Sequence, residues 1–98
     1  MTFQIKSQSE NLASAMRRIG YHPIGSSDRG ELNCVRPVFG GDYPRFHVYA
    51  REENNQIVIN LHLDQKRPSY GGGSHAHSGD YDSETVRDEA ARIRSVLR

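Results

Sequence analysis

Three of the five histidines, His62, His75 and His77, fall between residues 60 and 82, together with Asp64, Asp80 and Asp82 and the triple glycine Gly71-Gly72-Gly73. Imidazole nitrogens and carboxylate oxygens are the ligands that a borderline divalent cation such as Zn prefers. His62 and Asp64 lie two apart in an alternating run and so share one face of a strand. A chain carrying His75 and His77 back over that face would complete a set of three or four ligands. The metal set read from the sequence is therefore His62, Asp64, His75 and His77, with a divalent ion as the cofactor. No H-E-x-x-H or paired-cysteine spacing accompanies it.

The same region supports a second chemistry. Arg45, His47 and Tyr49 alternate on one run, Asn60 and His62 on the next, and Lys66 and Arg67 follow. Guanidinium and ammonium groups contact phosphates, and planar rings stack on bases. This ligand-binding set (Arg45, His47, Tyr49, Asn60, His62, Lys66, Arg67) describes a polar sheet face that takes RNA or another phosphate-bearing ligand, with self-association into a homodimer as the plainer use. Gly71-Gly72-Gly73-Ser74 lacks the Gly-Lys-[Ser/Thr] ending of a phosphate loop. A Ser/His/Asp set written from Ser74 or Ser78 with His75, His77 and Asp80 has no nucleophile-elbow pattern around it. No catalytic residue is assigned, and the expectation is a binding module that is not an enzyme, with a metal-binding protein or metal-dependent hydrolase as the alternative.

Composition bounds these readings. Ninety-eight residues at 35% hydrophobic content and no Trp suit one small domain, 1–98, with a lean core. The net charge of +1 lacks the basic excess usual in duplex binders, although eleven of the thirteen basic residues are Arg. A lone cysteine, Cys34, forms no internal disulfide and fits a reducing cytoplasm. No apolar run approaches the length of a membrane span.

The elements that must position the site read as follows. Ser7 and Glu10 stand in capping-box relation before Leu12, Ala15, Met16 and Ile19, and Gly20 supplies a stop, predicting a helix over 10–19. The tract from Tyr21 to Gly30 reads as loop. Residues 31–39 read as strand, in which Pro37, with no amide donor, marks a sheet edge or the strand's end. Phe46, Val48 and Ala50 then alternate with polar neighbours, as do Ile57, Ile59, Leu61 and Leu63, on either side of Asn54-Asn55. Closing a tight hairpin there pairs Phe46 with Leu63, Val48 with Leu61 and Ala50 with Ile59; the opposite face pairs Tyr49 with Asn60, His47 with His62 and Arg45 with Asp64. Asp82 as N-cap, with Tyr81 and Val86 as a hydrophobic staple, opens a last helix whose buried stripe is Val86, Ala90, Ile93 and Leu97. The fold class is α+β, a two-layer sandwich in α-β-β-β-α order with an antiparallel three-stranded sheet. An additional short N-terminal strand is read over Thr2–Lys6, where Phe3 and Ile5 alternate.

Two resemblances accompany this reading. The runs Ile59-Asn60-Leu61-His62-Leu63-Asp64-Gln65-Lys66 and Ala76-His77-Ser78-Gly79-Asp80-Tyr81-Asp82 resemble those of short, uncharacterised prokaryotic proteins, and bring no activity with them. The element order is similar to that of the double-stranded-RNA-binding fold and the HicA-type toxin nucleases, which implies RNA as a partner. The HicA type carries a Gly-Ser-His motif on its first strand, whereas in this chain Gly25-Ser26-Ser27 before that strand lacks the His and Gly73-Ser74-His75 lies after the third strand.

Overall fold

A computed structural model describes residues 1–27, 29–65, 79–80 and 83–98. Its elements in chain order are β1 (Thr2–Lys6), α1 (Leu12–Arg18), β2 (His22–Ser26), β3 (Leu32–Pro37), β4 (Arg45–Glu53), β5 (Gln56–Asp64), β6 (Gly79–Asp80) and α2 (Glu84–Leu97). The chain is α+β. Its sheet is antiparallel in the order β1-β5-β4-β3-β2, with the two-residue β6 also on β5. Since β4 occupies one side of β5, β1 and β6 share the other, β1 opposite residues 56–60 and β6 opposite 63–64.

The three expected strands and the short N-terminal one over Thr2–Lys6 are present, and β2 and the two-residue β6 enlarge the sheet beyond them. The N-terminal strand forms because Phe3 and Ile5 find Ile59 and Ile57 across the ladder, a pairing over more than fifty residues that local pattern cannot reveal. The tract read as loop contains β2. Its register shifts between Pro23 and Gly25, and a bulge of this kind breaks the two-residue alternation by which strands are recognised. The residues of β2 are exposed, so they carry no hydrophobic alternation either.

The hairpin keeps the register read from the sequence: Phe46 faces Leu63, Val48 Leu61 and Ala50 Ile59, with His47 opposite His62 and Arg45 opposite Asp64. Asn54 and Asn55 turn the chain at φ of 54° and 63°, the left-handed pair that a two-residue hairpin demands and that Asn tolerates. A β-branched residue does not tolerate it. Asn55→Val is expected to lower the unfolding free energy by about 1–2 kcal/mol, read as a lower urea midpoint with an unchanged slope.

Helix α1 starts two residues later than expected. Its N-cap is Asn11, whose side chain accepts from the Ser14 amide at 2.8 Å. Ser7 and Glu10 are committed elsewhere: Ser7 donates to Glu52 at 2.8 Å and Glu10 pairs with Arg18. The helix ends at Gly20 (φ +90°), with Gly20 N–H donating to Arg17 O and Tyr21 N–H to Met16 O, a Schellman closure. Helix α2 is capped by Ser83, which accepts from the Val86 amide at 3.3 Å. The expected cap and staple residues, Asp82 and Tyr81, lie outside the described residues.

One apolar cluster unites the inward face of the sheet (Phe3, Ile5, Cys34, Phe46, Val48, Ala50, Ile57, Ile59, Leu61, Leu63) with Ala15, Met16 and Ile19 and with the α2 stripe Val86, Ala90, Ile93 and Leu97. Cys34 is buried there, and burial pushes its thiol up to about 11, as suits a packed, unreactive side chain. A polar group also sits within α2's buried stripe. Glu89 accepts from Tyr21 Oη at 2.6 Å and from Arg92 Nε and Nη2 at 2.8 and 2.9 Å, and Arg36 Nη1 approaches to 3.5 Å. Arg92 also donates to the Ile19 carbonyl at 2.7 Å, so this network ties α2 to the end of α1 and, through Arg36, to β3. Among the described residues no helix is long and apolar enough to cross a membrane.

Candidate metal centre

Alternation leaves the other sheet face with Asn33 on β3, Arg45, His47 and Tyr49 on β4, and Asn60, His62 and Asp64 on β5. This face is not an open solvated surface. His47 is 7% and His62 8% exposed, while Asn60 is exposed. The rings of His47 and Tyr49 stack at 4.7 Å between centroids, and those of His47 and His62 lie 4.7 Å apart, tilted by 46°.

Asp64 collects the polar atoms. His47 Nδ1 lies 3.0 Å from its Oδ2, His62 Nε2 lies 3.1 Å from its Oδ1, and Arg45 Nε donates to Oδ2 at 3.1 Å. The other nitrogen of His47, Nε2, makes a short contact with Asn33 Oδ1. Taking one ligand atom each, His47, His62 and Asp64 lie within 4.8 Å of one another, so the three form a group able to hold a metal ion. Ligands of a tetrahedral Zn ion are separated by about 3.3 Å, given bonds near 2.0–2.1 Å. The two nitrogen–oxygen contacts lie a few tenths of an ångström inside that separation, and the widest pair of the group, at up to 4.8 Å, must close toward it for an ion to be held.

Burial pushes both imidazoles below their ordinary value of 6.5. Asp64 pulls both the other way, and Arg45 adds to the lowering at His47. The rings are therefore neutral at pH 7. An unfolded chain takes up these protons near pH 6.5 while the folded chain resists them. The stability contributed is complete above about pH 6.5 and is lost as the pH falls from there through the folded values. In chelator, the melting temperature is expected to decline across that window. His47→Gln, which removes one of the two groups, is expected to flatten the decline.

Of the metal set read from the sequence, the structure brings His62 and Asp64 together. His75 and His77 lie outside the described residues, and so do Lys66 and Arg67 of the ligand-binding set. The third member of the group is His47, which the hairpin register already placed opposite His62. Asn33 was missed, because nothing in the sequence says that β3 lies beside β4 in the register that sets Asn33 against Tyr49, one residue-pair from His47. No protein-family model, no curated protein and no solved structure matches this chain.

Proposed function

We propose that this protein binds a divalent transition metal ion through His47 Nδ1, His62 Nε2 and a carboxylate oxygen of Asp64. The observation that carries this reading is the convergence of two buried imidazoles on one carboxylate at 3.0 and 3.1 Å. Two nitrogens and one oxygen suit Zn or a neighbouring borderline ion and leave one coordination position open.

The protons on His47 add support. Its Nδ1 faces Asp64 Oδ2 and its Nε2 faces Asn33 Oδ1, and which nitrogen donates depends on where the ring proton sits. A neutral ring has one proton only. An ion on Nδ1 moves that proton to Nε2, where Asn33 accepts it. This is the arrangement in which an outer partner fixes the tautomer and orientation of a ligating histidine.

The face offers less to a phosphate on its own. Its two histidines are neutral, and the one guanidinium among its described ligand-binding residues is held by Asp64.

The test is elemental analysis of protein purified without chelator, followed by Co(II) titration of stripped protein monitored by visible absorbance. The expected result is close to one ion per chain, and a d–d band of tetrahedral intensity. No bound metal, no band and no thermal shift with Zn(II), Co(II) or Ni(II) would sink the reading.

A further inference from the structure

Arg45 makes this site different from a plain two-histidine, one-carboxylate centre. Its Nε is bound to Asp64 Oδ2 at 3.1 Å, its guanidinium lies 4.7 Å over the Tyr43 ring, and its side chain is 22% exposed. The guanidinium is thus fixed on two sides, by a carboxylate at one edge and an aromatic ring at its face. The Nη1 and Nη2 groups have no partner among the described residues. A guanidinium immobilised in this way loses little entropy on binding an oxyanion, and its fork geometry matches phosphate or carboxylate oxygens.

Charge decides which anion. The single negative charge of Asp64 is already opposed by Arg45, and an ion takes its imidazole ligands in their neutral form. A divalent ion in this group leaves a local excess of two positive charges. The other carboxylates of β4, Glu52 and Glu53, begin five residues along the strand from His47. That is about 17 Å at strand rise, about twice the screening length at physiological salt. Asp42, the acidic residue closest in sequence to Arg45, makes no ion pair with it. Among the described side chains, Asp64 is the one carboxylate paired with Arg45, so a ligand that neutralises the excess has one coordination position to occupy.

Resting on the metal reading above, we infer that the site takes a terminal phosphate group, with one oxygen on the ion's open position and a second on the Nη edge of Arg45. A phosphate monoester near neutral pH carries close to two negative charges and balances the excess. A nucleic-acid phosphodiester carries one and leaves half of it, as a carboxylate does. The ligand class is a phosphomonoester, either a small molecule or the phosphorylated end of a larger one. Ion and phosphate bind cooperatively, each tightening the other by the same factor.

Co(II) titrations at mildly alkaline pH, with and without saturating methylphosphonate, which is non-hydrolysable and a dianion under those conditions, test this. Dimethyl phosphate serves as the diester control. Methylphosphonate is expected to tighten Co(II) binding on the order of tenfold, and dimethyl phosphate much less. In Arg45→Gln, Co(II) alone is expected to bind more tightly than in the wild type, because Asp64 loses its competing cation, and the methylphosphonate effect is expected to vanish. Arg45→Lys, which keeps the charge without the fork, is expected to retain part of it, and thermal melts establish that both variants are folded. Co(II) binding that ignores methylphosphonate, or an equal effect in Arg45→Gln, overturns the phosphate inference and leaves the metal reading standing. Equal tightening by dimethyl phosphate overturns the monoester assignment in favour of a nucleic-acid backbone. Absence of Co(II) binding altogether removes both.

Discussion

Glu89→Ala is expected to lose about 3–5 kcal/mol of unfolding free energy. Glu89 is 5% exposed and accepts hydrogen bonds from Tyr21, Arg92 Nε and Arg92 Nη2. Removing the carboxylate strands the Tyr21 hydroxyl, whose ring is 1% exposed, in an apolar surrounding with no acceptor. It also unties Arg92, which braces the Ile19 carbonyl at the end of α1. Burial, then the Glu89 charge, raise the Tyr21 phenol well above its ordinary value, so the phenol stays protonated and donates throughout the accessible pH range. Tyr21→Phe removes the donor with little change of shape and leaves Glu89 with Arg92 and Arg36. The cost is then nearer that of one hydrogen bond to a charged group, about 1.5–3 kcal/mol. Urea unfolding of both variants checks the order. A Glu89→Ala midpoint equal to the wild type would show that the network adds nothing net to stability. For a domain of this size the larger loss is a substantial share of the total.

His62→Ala is expected to weaken Co(II) or Zn(II) binding by more than about a hundredfold, since a lost ligand costs more than the ten- to hundredfold typical of an outer-shell partner. His47→Ala should do the same. Asn33→Ala, which touches only the far nitrogen of His47, should fall in that smaller range, and Tyr49→Phe should leave affinity near the wild-type value. Isothermal titration of folded, metal-stripped variants measures the series. The ordering separates a coordination site from adventitious binding: if His62→Ala and Asn33→Ala are equivalent, the ion is not held by the His47–His62–Asp64 group. A small loss in both single histidine variants would also count against it.

Much of this site was legible before any coordinates. The alternation of Phe46, Val48 and Ala50 against Ile57, Ile59, Leu61 and Leu63 admits one register that buries all seven, and that register sets His47 across from His62 and Arg45 across from Asp64. The set of ligands was harder. His75 and His77, a short motif beside glycines, lie outside the described residues, whereas the strand pairing fixes His47 against His62. Glu89 shows the reverse case. It sits one residue before Ala90 in a helix full of charged side chains, and nothing local separates it from Asp88. Its burial follows from Tyr21 and Arg36 arriving from elsewhere in the chain.

The sequence by itself determined the local features: the hairpin with its Asn54-Asn55 turn, the glycine stop of α1, the buried stripe of α2, and the face shared by His47, His62 and Asp64. These depend on neighbours within a turn or across one tight loop, where two- and 3.6-residue periods and capping residues govern. Only the tertiary structure decided the rest. It added β2 at one edge of the sheet, joined β1 to β5, set Asn33 beside His47 and buried the two imidazoles, which lowers their affinity for protons. It also folded Asp64 between the two imidazoles and Arg45. Each of these depends on which distant segments become neighbours and on how much water they exclude, and neither quantity is written in any single stretch of residues.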